Sequence, residues 1–465
     1  MRTERHQPDY ILMIAVLMLT GIGIVTVYSA STVIELHNGQ SAAHMAIRQL
    51  GASIFGLIVF YLATYLSYHF WFKHAAKLLL LAVSLLLLVL VPGVGRSSLG
   101  ATRWLGTTSF HLQPSAVAIL VVIMYLSFLL TKKMNILHDS RRTFRPAMLV
   151  VLMLTILILI EPDMGTSTTL FGTALVVMFA SGLRMRPIIL TLAVMLPSAY
   201  LVAHFASYRS SRLESFFHPF QTASGNSYQL IQGLTAITNG GLTGRGFDLS
   251  IMATGYLPEP YTDFIFAVFT EQWGWLGDAA LLAIFAVITW RGFRIARYAR
   301  DRFGALMAVG LTSTIIIQAA INLCAVTWLL PVTGIPLPFI SYGGTAIVIN
   351  LFGMGILLSV SRETADVALD HDALAEIVSV DEFLAGRAQT AAGKSSLQKT
   401  QRPAKVTSLK THRSTWNATG SQKNSGQIPA SHTRRNLSLS WRDQQSMSNQ
   451  QKDAEKRRNS KRDKR

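Results

Sequence analysis

Charge is what this chain has least of. Only 14% of its 465 residues are Asp, Glu, Lys or Arg, against about 25% in ordinary soluble domains. A string of soluble domains is thereby excluded, although the length alone would suggest about three. Cysteine is nearly absent. The lone Cys324 rules out a disulfide framework and any CxxC metal cluster. Fifteen prolines and 33 glycines are too few for a fibrous or low-complexity chain. Acids are outnumbered, 24 against 42 Lys and Arg, which gives +18. That balance alone points to nucleic acid, but its location does not. Residues 387–465 hold 19 Lys and Arg against four acids, so +15 of the +18 lies in the last 79 residues.

What fills the rest is hydrocarbon. Half of all residues are apolar and the mean hydropathy is +0.37. Runs such as AAKLLLLAVSLLLLVLV at 75–91 and AMLVVLMLTILILI at 147–160 have no place in a soluble domain. A membrane-crossing helix needs ~20 mostly apolar residues at 1.5 Å rise each. Ten segments qualify, near 10–30, 46–66, 76–92, 112–131, 146–161, 165–183, 187–205, 262–290, 305–328 and 338–360. The expected fold is all-α, a polytopic membrane protein with about ten transmembrane helices. The first apolar run is long and has no small-residue cleavage site, so no cleavable signal peptide is expected.

Basic residues in short loops set the orientation. With the first residues inside, the inner segments hold 16 Lys and Arg and the outer segments six. Both termini are therefore expected in the cytoplasm. Two outer loops, near 92–111 and 206–261, are long enough to carry function. The domain reading is a membrane domain over 1–362 and a disordered basic cytoplasmic tail over 363–465. That tail begins with seven acids between Glu363 and Glu382. It then turns Ser-, Thr- and Lys-rich, a composition that buries no core. Its basic half suits anionic lipid headgroups, at about 1 kcal/mol per charge near the surface. Nucleic acid is not expected as a partner.

The polar residues that attract attention fall on the outer side. Gly100-Ala-Thr-Arg103-Trp104 precedes Gln113-Pro-Ser at the mouth of the fourth span; an interfacial Trp/Arg anchor is the plain reading. The other is a cation for phosphate with a stacking surface. Glu161-Pro-Asp163-Met-Gly165-Thr separates two spans. Asp163 as a helix cap and the carboxylate pair as a proton or ligand site stand level. Asn239-Gly-Gly-Leu-Thr-Gly244-Arg245-Gly246 has no preceding strand and no Lys-Ser/Thr, so a nucleotide loop is rejected and a flexible outer loop is expected. Pro258-Glu259-Pro-Tyr-Thr262-Asp263-Phe-Ile-Phe266 leads into the eighth span. Asp263 either caps that helix or, one residue into an apolar segment, serves as a general base. Glu259, preceding Pro260, is expected to be extended. Three prolines and three glycines between Pro331 and Thr345 predict a broken or re-entrant segment lining a cavity.

Together these segments resemble the SEDS family (shape, elongation, division and sporulation), whose members include FtsW, RodA and SpoVE. Further matches are Tyr28-Ser-Ala-Ser31, Arg48-Gln49, Ser227-Tyr-Gln229-Leu-Ile-Gln and Gly240-Gly-Leu-Thr-Gly244. They run in family order over about residues 9–362. The opening Pro8-Asp9-Tyr10-Ile-Leu-Met and the basic tail look closer to FtsW or SpoVE than to RodA. One departure stands out. After Gln113-Pro-Ser the family usually has Glu and, three positions later, Lys; here those positions are Ala116 and Ile119. An i,i+3 pair shares one helix face, so losing both avoids stranding one buried charge.

The resemblance implies a peptidoglycan glycosyltransferase that polymerises lipid II on the outer face of the cytoplasmic membrane, at the division septum or in spore wall synthesis. Its partners would be a class B penicillin-binding transpeptidase and other divisome proteins, with undecaprenyl-diphosphate-linked glycan as co-substrate. Glycosyl transfer needs a carboxylate to take the acceptor hydroxyl's proton, and Asp263 is the candidate. The leaving diphosphate needs cations, for which Arg103, Arg209 and Arg212 stand, with a divalent ion such as Mg2+ or Mn2+ as a possible bridge. Trp104, Gln113, Asp163, Gln229, Glu259, Thr262 and Ser341 complete the expected substrate contacts. Two other readings remain open, a lipid II flippase or transporter and a non-catalytic divisome scaffold.

Overall fold

The computed structural model describes residues 6–98, 101–106, 111–137, 139–184, 186–193, 214–220 and 226–364. The tail, Arg209 and Arg212 lie outside them. The described part is a helical body: α1 (Tyr10–His37), α2 (His44–Tyr65), α3 (His69–Val89), α4 (Pro114–Lys132), α5 (Phe144–Ile160), α6 (Met164–Ala180), α7 (Asn226–Gly240), α8 (Ile265–Tyr298), α9 (Arg302–Val326) and α10 (Gly344–Ser361). Residues 186–193 are helical as well, the described part of the expected seventh span. Among the described residues, seven helices (α1–α4 and α8–α10) are long and apolar enough to cross a membrane, while α5 and α6 are apolar but shorter. Side chains such as Leu12, Ile123, Leu154 and Leu358 are fully buried, whereas Leu80, Ile58 and Leu276 are exposed. An apolar exterior around an apolar core is what a lipid solvent permits.

Both expected outer loops contain structure. The first holds a three-stranded antiparallel sheet in the order β1 (Arg96–Ser98), β2 (Ala101–Gly106), β3 (His111–Leu112). Its register sets Arg96 opposite Trp104 and Leu105 opposite Leu112. The second, expected as a connection from 206 to 261, contains helix α7. The third span starts at His69 rather than near 76, and the last at Gly344 rather than near 338.

The two ends of the described body meet. The Asp9 carboxylate accepts from Leu12 N at the start of α1 and pairs with Arg291 of α8. Asp9 N donates to Ser361 Oγ, and His6 N to the Arg362 carbonyl. The start of α1 and the end of α10 thus share one end of the bundle. Among the described residues, the outer-side residues singled out above gather at the other end.

Candidate active site

The segment from Pro331 to Gly343 is the centre of that end. It is irregular and largely buried, with left-handed backbone at Gly334 (φ 73°) and Phe339 (φ 67°). Irregular backbone at such depth must find protein partners for its polar groups, and it does. Gln49 of α2 donates from Nε2 to the Ser341 carbonyl and accepts from Gly343 N, at 3.2 and 3.3 Å. Tyr342 N donates to the Tyr261 carbonyl (2.8 Å) and Leu337 N to Ser341 Oγ (2.7 Å). The start of α6 packs so closely that a Cβ on Gly165 would collide with Ile335. Ser341, expected at substrate, has its hydroxyl in the turn that closes this segment.

On one side lies the Asp263 loop. Asn322, an amide buried within the apolar α9, donates from Nδ2 to the carbonyls of both Asp263 and Ile335, each at 2.8 Å. Thr262 Oγ1 lies 2.9 Å from the Glu259 carbonyl and 3.0 Å from Asp263 Oδ1. Gln229 of α7 donates to the Pro258 carbonyl at 3.2 Å. The N-cap position of α8 is Phe264, so Asp263 stands just outside the helix rather than one residue into it. Glu259 departs from expectation: its φ is 45°, a left-handed turn and not the extended form that a following proline favours. Burial, then the nearby Asp263 charge, pushes the Glu259 carboxyl above its ordinary range, against the hydrogen bond from Thr262. Burial, followed by the charges of Glu259 and Glu35, drives the Tyr261 phenol up to about 12. Tyr261 meets Tyr342 edge-on at 5.9 Å.

On the other side, β2 and the mouth of α4 hold the turn between α5 and α6. Arg103 donates to the carbonyls of Glu161 and Pro162. Gln113 Nε2 reaches Asp163 Oδ2 at 3.1 Å, and Asp163 caps α6 by accepting from Thr166 N and Oγ1. The cap reading of Asp163 is thus met. Trp104 packs edge-on against His111 at 4.8 Å. Glu161 is the other half of the carboxylate pair read as a proton or ligand site. It is 1% exposed, and neither carboxylate oxygen has a hydrogen-bond partner among the described residues. Burial, then the Asp163 charge, pushes its carboxyl up to about 8, with Arg103 opposing.

A folded pKa above the unfolded one means that the folded state binds more protons, so stability falls as pH rises between about 4.5 and 8. Glu161→Gln is expected to raise the melting temperature at pH 8.5 and leave it nearly unchanged at pH 5. Melts of purified protein at both values check this, and equal shifts would refute it.

The glycine-rich run 240–246 is not a flexible loop. It closes a break in α8 at Gly274, whose φ of 66° and ψ of −172° are not helical. Arg245 N and Gly246 N donate to the Glu271 and Gln272 carbonyls, while Trp275 N and Leu276 N donate to the Gly241 and Leu242 carbonyls. Backbone groups freed by the break are therefore satisfied by the run. Glu271, fully buried, accepts from Asn239 Nδ2, Ser250 Oγ and Met252 N, and so ties α7 and the stretch before the Asp263 loop to α8.

No three His, Cys, Asp or Glu side chains among the described residues are gathered as a metal cage. A divalent ion there would take most of its ligands from substrate phosphates.

The Cell cycle protein family FtsW/RodA/SpoVE matches residues 10–366, the span that carries this whole arrangement. The chain belongs to that family. It is 39% identical over 362 residues to stage V sporulation protein E of Bacillus subtilis, covering 78% of this chain and 99% of that one. To the probable peptidoglycan glycosyltransferase FtsW of Trichlorobacter lovleyi it is 38% identical over 354 residues, covering 76% and 93%. Among solved structures it resembles a peptidoglycan synthase complex studied for its coordination of polymerization and crosslinking, with TM-score 0.63, 26% identity and coverage of 77% and 98%. It also resembles Thermus thermophilus RodA, with TM-score 0.57, 26% identity and the same coverage. Like the rest of the FtsW/RodA/SpoVE family, it is a multi-pass membrane protein. The resemblance drawn from its motifs is borne out.

The geometry also shows what residue-by-residue reasoning missed. Asn322, Gln49 and Tyr342 hold the site together, yet were given no role. Asn322 carried a readable signal, a lone amide in an otherwise apolar helix, where polar groups need partners.

Proposed function

We propose that this chain is a peptidoglycan glycosyltransferase that polymerises lipid II at the outer face of the cytoplasmic membrane, with Asp263 as its base. The observation that carries the reading is the fixation of Asp263. Its carbonyl is held by Asn322 and its carboxylate by Thr262, beside the buried 331–343 segment. The chain also spans 93% of an FtsW relative named for this activity. The acceptor GlcNAc 4-hydroxyl is a poor nucleophile, and a carboxylate in reach must take its proton as the glycosidic bond forms. The donor's bond to diphosphate breaks on the opposite side, so the anomeric centre inverts. Burial and the neighbouring Asp263 charge push the Glu259 carboxyl above its ordinary range; it is assigned a hydrogen bond to sugar, and Asp263, whose backbone carbonyl Asn322 fixes, the proton abstraction.

The diphosphate is assigned to Arg103 together with Arg209 and Arg212. Trp104, Gln113, Asp163, Gln229, Thr262 and Ser341 act mainly by holding the walls of the site. A single-span class B penicillin-binding transpeptidase is the proposed partner, consistent with the synthase-complex likeness, and the septum or spore wall the proposed place of action. Both termini, the tail included, are assigned to the cytoplasm.

The test is production of glycan chains from labelled lipid II by purified protein in lipid. Polymer supports the proposal; lipid movement without polymer would favour the flippase reading. Arg103→Lys is expected to lower turnover about tenfold or more, because an ammonium cannot replace a planar fork of donors. Full turnover with unchanged apparent affinity for lipid II would remove Arg103 from the site.

A further inference from the structure

Helix α8 is longer than a bilayer requires. At 1.5 Å rise its 34 residues make about 50 Å of helix, against about 30 Å of hydrocarbon. Its last turns therefore stand beyond the apolar layer, at the end of the bundle where α1 starts and α10 finishes. That overhang is basic. Arg294 and Arg297 are exposed, with their guanidinium groups over the Tyr298 ring at 5.9 and 5.7 Å. Arg300 is exposed in the turn that follows. The acids described nearby are already committed. Asp9 pairs with Arg291, while Asp301 caps α9 and meets Tyr68 and His69. Glu363 accepts from Ser67 and lies 3.5 Å from His69 Nδ1. Counter-charge for Arg297 and Arg300 thus comes from outside the described residues.

The chain itself brings acids to that place. Thr364 forms an isolated antiparallel bridge with Ala299, the residue between Tyr298 and Arg300. Beyond the bridge the sequence holds six acids, and no Lys or Arg until Arg387. The first two, Asp366 and Asp370, come two and six residues after Thr364, at most about 7 and 20 Å along the chain. We propose that the acidic stretch from Asp366 to Glu382 docks on the Arg294, Arg297 and Arg300 face at the end of α8. This is an interface of the chain with itself, and it does not depend on the glycosyltransferase reading.

One exposed ion pair is weak and screened by salt, so a single contact would not hold the stretch in place. Several carboxylates tethered beside several guanidinium groups differ, because a short tether keeps the partners at about millimolar effective concentration. Each guanidinium can also grip a carboxylate through two parallel N–H···O bonds. The basic half of the tail is a rival partner for the acids. It begins only at Arg387, and its composition buries no core, so its bases lose more freedom on pairing than arginines fixed at a helix end. Anionic lipid headgroups are the rival for the arginines. They lack the covalent tether that the bridge at Thr364 provides.

The experiment uses the full chain in nanodiscs of uncharged phosphatidylcholine, with Cys324→Ala and nitroxide labels at Ser379→Cys and Lys73→Cys. Lys73 is exposed near the start of α3, so pulsed electron resonance reads the distance from the acidic stretch to the helical body. The labelled parent at low salt should give one narrow distribution. Arg294→Gln, Arg297→Gln and Arg300→Gln together should spread it over about 20 Å, the reach of about 15 undocked residues after Thr364. Salt at about 1 M, which cuts the screening length to about 3 Å, should do the same. If the triple variant folds poorly, Arg297→Gln with Arg300→Gln carries the test. In protein with Arg297→Glu and Arg300→Glu, adding Asp366→Lys and Asp370→Lys should narrow the distribution again, a rescue that a purely structural role of the arginines would not give. A broad distribution in the parent at low salt overturns the proposal, as does a narrow one in the folded glutamine variants. Two further outcomes also overturn it. Narrowness that survives those variants but is lost on truncation after Gly386 assigns the acids to the basic half of the tail. Spreading in the parent when phosphatidylglycerol replaces phosphatidylcholine gives the arginines to lipid.

Discussion

Asp263→Asn is expected to abolish glycan polymerisation while the protein inserts and folds normally. Loss of a positioned base typically costs ~10²–10⁴-fold in rate. Asn retains an oxygen that can accept the Thr262 hydroxyl at 3.0 Å, and the Asn322 bond goes to the backbone carbonyl, which is unchanged. Because Phe264 occupies the α8 cap position, the substitution removes no cap, and even a lost cap would cost only about 1 kcal/mol. Labelled lipid II with gel separation of products, read beside a thermal melt, separates chemistry from folding. Glu259→Gln is the internal control. Glu259 is assigned a hydrogen bond to sugar rather than the proton transfer, and an amide can still make that bond, so the change should cost far less than at Asp263. Near-normal chains from well-folded Asp263→Asn would leave the base unassigned.

Gly274→Ala is expected to prevent stable folding. The glycine sits at φ 66° and ψ −172°, a backbone region essentially restricted to glycine and costing other residues about 1–3 kcal/mol. A Cβ there would also collide with the backbone of Leu242 and Gly244, which cannot swing aside as a flexible side chain could. Gly244→Ala meets the same obstacle from the other side, against the Gln272 carbonyl. The combined loss should reach several kcal/mol, a size tied to few mechanisms. The two changes should not add, because they break one junction. Gly21→Ala, with open space around its Cβ, is the control and should be tolerated. Yield of monodisperse protein and its melting temperature provide the readout. A Gly274→Ala variant that melts like wild type would mean that the α8 break is not what the glycine-rich run closes.

Among the site residues, legibility followed how local the cause was. Asp163 as a cap is set by its own next three residues, so Asp-Met-Gly-Thr displayed it. Glu259 is the opposite case. The following proline predicts an extended residue, but Thr262 folds back onto the Glu259 carbonyl through both N and Oγ1 and the chain turns left-handed. Arg103 was expected to face phosphate. The structure also ties its Nε and Nη2 to two carbonyls of a turn 58 and 59 residues away in sequence, a pairing with no local signature that leaves its other N–H donors for the proposed diphosphate contact. Glu161 became a buried acid whose carboxylate oxygens have no hydrogen-bond partner among the described residues only when β2, α5 and α6 met around it.

By itself, the sequence determined the membrane class, the approximate place of the spans, the break between Pro331 and Gly343 and the motifs that identify the family. All of these depend on properties of contiguous residues: hydropathy over a bilayer's thickness, the missing N–H of proline and the freedom of glycine. Tertiary structure alone decided that the 206–261 connection contains a packed helix, that the run 240–246 completes a broken α8, and that Asn322 joins Asp263 to the 331–343 segment. A buried backbone or amide group must find a partner somewhere. Which partner it finds depends on which distant segments the fold brings within about 3 Å, and no local pattern encodes that.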